Sequence, residues 1–130
     1  NVGDRLNLAK IYLSYVNSGL LDADLVVAYQ NEALFHLNFV LNSSTPTREA
    51  SQLLIADQLR LRDWAHAEES VQKAHDLNLI SDAEMAEYQA EILYSRKQFD
   101  KIASVLRLVA AEPTLSADWK STLLWWGVGS

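Results

Sequence analysis

Three histidines, His36, His66 and His75, are the side chains best suited to metal binding or proton transfer, and their spacing serves neither. No two stand four apart on one helix, the arrangement that sets two imidazoles on one face for zinc. Without a cysteine in the chain, thiolate ligands, disulfides and a cysteine nucleophile are excluded as well. His66 and Glu69 can share a helical face, yet further ligands are missing and two solvated polar side chains are the plainer reading. A GxSxG elbow, a P-loop and a dinucleotide fingerprint are all absent, and four glycines are too few for a phosphate cradle. Since no nucleophile, base and orienting group can be assembled, the chain reads as a non-enzyme that needs no cofactor.

The carboxylates are more informative. Glu68 and Glu69 neighbour Lys73, which stands four residues beyond Glu69, the ordinary pattern of an exposed helix face. Glu84, Glu87 and Glu91 differ. Their spacing of 3 and 4 lines all three along one face of a helix, Tyr94 extends the row, and few basic residues relieve the repulsion. That face is the candidate binding surface, beside the alternative of a solvated acidic row with Glu84 engaged in helix capping.

The elements that position these residues follow from composition. A chain of 130 residues is of a size to form one domain, 1–130, with its own core. It opens Asn1-Val2-Gly3-Asp4 without an initiator methionine, so a piece of a longer protein is expected. A formal charge of -6 opposes the footprint that DNA or RNA binding requires, and nucleic acid is not expected as a direct partner. The longest apolar runs, Leu25 to Ala28 and Val105 to Ala111, fall far short of the roughly 20 residues that span a bilayer, so no membrane insertion is expected. The absence of cysteine leaves the compartment undetermined.

Between sparse glycines and prolines lie long stretches rich in Leu, Ala, Glu, Gln and Arg, which predict an all-α fold of seven helices with short, antiparallel connections. Asn17-Ser18-Gly19 closes the first helix, and the second starts near Asp22. Thr45 is expected to cap the third with Pro46 in its first turn, and Asp63 divides the third from the fourth. Ser81-Asp82-Ala83-Glu84 reads as a capping box opening the fifth. Lys97-Gln98 is a turn before Phe99, and Pro113 ends the sixth before Ser116 caps a seventh.

A stripe repeats along this series. Trp64, Ala67, Val71 and Ala74 step by 3, 4 and 3, and Phe99, Ile102, Leu106 and Val109 take the same steps 35 residues later. Ala33, Leu37 and Val40 form a third copy 34 residues before Ala67, Val71 and Ala74, with Gln30 in the aromatic's place. On these residues the segments 48–80 and 81–113 resemble tetratricopeptide repeats, paired antiparallel helices of about 34 residues. In the second unit Ala90 matches the small position of the first helix, Leu93 the large one and Phe99 the aromatic. Ile55, Ile102 and Val109 depart from the family's small residues, and its closing proline is displaced to Pro113 in one unit and missing from the other.

The resemblance implies an α-solenoid, a right-handed superhelix of helical hairpins. It implies a concave face that binds peptides or proteins and is lined here by Glu84, Glu87, Glu91 and Tyr94, with Glu49, Gln52 and Arg60 one repeat earlier. The Lys and Asn set with which chaperone-binding members clamp a C-terminal carboxylate is missing, so a basic or neutral protein or peptide is the expected partner. Similar arrays attached to bacterial DNA-binding activator domains imply a second role, a sensory or regulatory domain of a larger signalling protein. Trp119, Trp125 and Trp126 crowd the last expected helix, which then stacks further, folds over the core or makes a subunit interface.

Overall fold

Helix ends are decided by local hydrogen bonds, and a computed structural model, which describes residues 2–107, shows how each is met. Six α-helices occur among the described residues: α1 Val2–Ser18, α2 Ala23–Leu41, α3 Arg48–Arg60, α4 Trp64–Asp76, α5 Asp82–Ser95 and α6 Phe99–Arg107. No strand is found among them, so the fold is all-α. The expected seventh helix, with Val109, Pro113, Ser116, Trp119, Trp125 and Trp126, lies outside the described residues.

Gly19 ends α1 at φ +75°, a left-handed geometry that costs a glycine little. Asp22 caps α2 by accepting from the Leu25 amide at 3.0 Å. The cap expected at Thr45 is instead Thr47, whose Oγ1 accepts from the Ala50 amide at 3.2 Å, so α3 starts at Arg48 and Pro46 precedes it. Ser43 is the reason: its hydroxyl donates to the Val40 carbonyl and accepts from the Thr45 amide, holding 43–45 in a turn of its own.

The next three helices close alike. Arg62, Asn78 and Lys97 each adopt a left-handed conformation, with φ of 59°, 60° and 60°. The amides of Asp63, Leu79 and Gln98 then reach back to the carbonyls of Gln58, Ala74 and Leu93. These are Schellman turns. Arg62 and Lys97 carry no glycine signal, and only the residues after them, Asp63 and Gln98, announce the break.

The chain divides into two compact units, Asn1–Asp57 and Gln58–Ser130, with the division inside the continuous helix α3. In the first unit α1 packs on α2, burying Leu6, Ala9, Leu13 and Val16 of one and Ala33, Leu37, Val40 and Leu41 of the other. In the second, α5 packs on both α4 and α6. Ala83, Ala86 and Ala90 form a small-residue face on α5, against which Ile102 and Leu106 of α6 are wholly buried. Small residues there let the two backbones approach closely.

The repeated stripe is buried at Ala67, Val71 and Ala74, at Ile102 and Leu106, and at Ala33, Leu37 and Val40. Its aromatic positions are not core. Trp64 is only half-buried, and Phe99 is 47% exposed, its ring resting edge-on against Tyr94 with centroids 5.3 Å apart. Both stand at the first residue of a helix, two positions after the left-handed residue of a Schellman turn. Gln30, in the aromatic's place on α2, is the more buried residue, at 7% exposure, and its Nε2 finds no hydrogen-bond partner among the described residues. Such a group costs about 1–3 kcal/mol.

Candidate functional site

Helix α5 carries four carboxylates, Asp82, Glu84, Glu87 and Glu91, and no Lys or Arg between Asp82 and Ser95. Its start is fixed by the expected capping box. Ser81 Oγ accepts from the Glu84 amide at 3.1 Å, and Glu84 Oε1 accepts from the Ser81 amide at 3.0 Å. One oxygen of Glu84 is therefore engaged in the helix terminus, where the dipole also favours negative charge.

Glu84, Glu87 and Glu91 share a shallow depression of about 150 Å³ with Tyr88. Glu91 is raised above the ordinary carboxylate range, first because nearby atoms desolvate it and second because Glu87 repels it. Although the residue presents an exposed side chain, its carboxyl is thus held where negative charge is poorly solvated. A cation placed between Glu87 and Glu91 offsets their mutual repulsion and favours the charged form of Glu91.

The other expected residues are placed differently. Tyr94 is exposed and leans on Phe99, outside the depression. Glu49, on α3, pairs with Lys10 of α1 at 2.8 Å, a contact that no spacing rule foretells because the partners are 39 positions apart. Gln52 is half-buried in the first unit, and Arg60 is exposed in the last turn of α3 in the second. Tyr88 was missed by sequence reasoning. Its place four residues after Glu84 and three before Glu91 is the signal that marks it as a neighbour of both.

A second, larger concavity of about 430 Å³ lies among α4, α5 and α6, lined by Glu68, Gln72, Gln89, Leu93 and Val105. Glu68 at its edge is 3.8 Å from Arg96, and Gln72 donates to Asp76 at 2.9 Å. The histidines serve local structure. His66 bonds the α4 cap residue Asp63 at 2.7 Å, and His75 bonds Asp82 at 2.5 Å, joining the end of α4 to the start of α5. Among the described residues no group of three His, Cys, Asp or Glu is arranged to hold a metal ion, and no helix is long and apolar enough to cross a membrane. Compared with protein-family models, curated proteins and solved structures, the chain matches none.

Proposed function

We propose that this chain is a protein-interaction module and that the Glu84, Glu87, Tyr88 and Glu91 face of α5 receives a basic segment of a protein partner. The observation that carries this reading is the row Glu84, Glu87 and Glu91, on a helix free of basic residues and beside the Tyr88 ring in a shared depression. Lys or Arg side chains lay their apolar stems on such a ring and their charges against the carboxylates.

A tetratricopeptide-like array is the architecture proposed with it. Its support is the starts of α3 and α5 at Arg48 and Asp82, 34 positions apart, and matching turns at Arg62 and Lys97, 35 apart. The alternative role, a regulatory domain that senses a small ligand, draws support from the groove lined by Gln72 and Gln89, whose volume falls in the range of small-molecule sites. Charge reversal separates the two. Glu87→Lys with Glu91→Lys abolishes capture of a basic peptide under the first reading, and unchanged capture by a folded variant refutes it.

A further inference from the structure

The face of the α1–α2 hairpin that points away from its core is apolar. A helix turns by roughly 100° per residue, so Leu8, Ile11 and Tyr15 cluster roughly 150° around α1 from the buried row Leu6, Ala9, Leu13 and Val16. On α2, Leu25, Phe35 and Phe39 likewise lie off the buried row. All six are between 41% and 58% exposed. The seam between the two helices is closed by contacts that keep this surface continuous. Tyr29 meets Tyr12 and Tyr15 edge-on at 5.2 and 5.9 Å, and His36 stacks on Tyr12 at 6.0 Å. The Arg5 guanidinium lies over the Phe39 ring, 3.7 Å from its centroid, and its Nη1 donates to His36 Nδ1 at 3.4 Å.

Fixed rings on both helices make this a preorganised surface rather than six scattered apolar side chains. We propose that it is where two copies of this chain meet, through a two-fold contact in which the same surface serves both partners. The area decides for a second copy. Large apolar side chains at about half exposure leave on the order of 500 Å² of apolar surface on each hairpin. With a polar rim this reaches the roughly 800 Å² per partner of a stable, specific interface, and it lies toward the upper end of what a monomer leaves bare. The charges suit self-association too. Only four formally charged residues, Asp4, Arg5, Asp24 and Glu32, lie in or beside the rows that carry these side chains, all near the margin of six large apolar groups.

Sedimentation velocity of the whole 130-residue chain across the micromolar range tests this. The expected result is a concentration-dependent dimer. Ile11→Glu with Phe35→Glu should raise its dissociation constant at least about a hundredfold while helix content stays unchanged. Ile11→Ser alone, a milder change at an exposed position, should still weaken it by about fivefold and guards against a charged variant that does not fold. A chain that stays monomeric at the highest concentration overturns the proposal and assigns the face to another occupant, residues 108–130 or a different protein. A dimer indifferent to both variants overturns it equally, by moving the contact elsewhere.

Discussion

Leu106 and Phe99 lie on the same short helix in opposite environments, and truncating each to alanine reads out the packing of α5 on α6. Leu106 is wholly buried against Ala83, Ala86 and Ala90, whose short side chains cannot lean in to fill a void. Leu106→Ala therefore leaves most of its cavity open and should cost about 3–5 kcal/mol, the upper part of the range for such changes. A fully buried Phe costs a similar amount, but Phe99 is 47% exposed and borders solvent rather than a closed cavity. About half the transfer free energy is at stake and no cavity penalty is added, which gives about 1–2 kcal/mol. Urea denaturation followed by circular dichroism measures both. With a slope of about 1–3 kcal/mol per molar urea, the two midpoints should separate by at least about 0.3 M. Hydrogen exchange of α5 and α6 amides confines the comparison to the second unit. A Phe99→Ala loss equal to or larger than that of Leu106→Ala refutes the packing described.

Other substitutions test the cap and the acidic face. Ser81→Ala removes the acceptor of the Glu84 amide and should cost about 0.5–2 kcal/mol by the same denaturation assay. Glu91 is raised in the folded chain, so its charged form is disfavoured by folding. The stability it contributes is full below its unfolded pKa and is lost as pH rises through the higher folded value. Glu91→Gln should therefore raise the melting temperature at neutral pH, and the gain should shrink as pH falls through the carboxylate range.

Much of this was legible in the sequence for identifiable reasons. Ser81 and Glu84 announce α5 because both halves of a capping box lie within four residues, and Gly19 marks the end of α1 because few other residues tolerate its backbone geometry. The buried stripes at Ala67, Val71 and Ala74 and at Ile102 and Leu106 follow from helical periodicity. Periodicity gives direction but not depth. It assigns Phe99 to the core face and cannot say that the first turn of α6 stands half clear of its neighbours. Thr47 displaced Thr45 as a cap because the Ser43 hydroxyl draws 43–45 into a turn, a choice among four nearby hydroxyl residues that composition leaves open. At the candidate site, the Glu84, Glu87 and Glu91 row was readable from spacing alone. The Lys10 to Glu49 pair and the lean of Tyr94 on Phe99 were not, because the first joins distant segments and the second depends on how the α5–α6 turn closes.

Fluorescence anisotropy of a labelled Lys- and Arg-rich peptide tests whether the acidic face of α5 binds a basic protein segment, as proposed. The native chain should bind saturably, with an affinity that falls as salt rises because exposed charges are screened. Glu87→Lys with Glu91→Lys should remove binding while far-UV circular dichroism shows an unchanged helical fold. Glu68→Lys with Glu69→Lys, the same charge change on α4, should leave most of it. Equal losses from the two reversals would reduce the effect to net charge, and an undiminished affinity in the α5 variant would contradict the assignment.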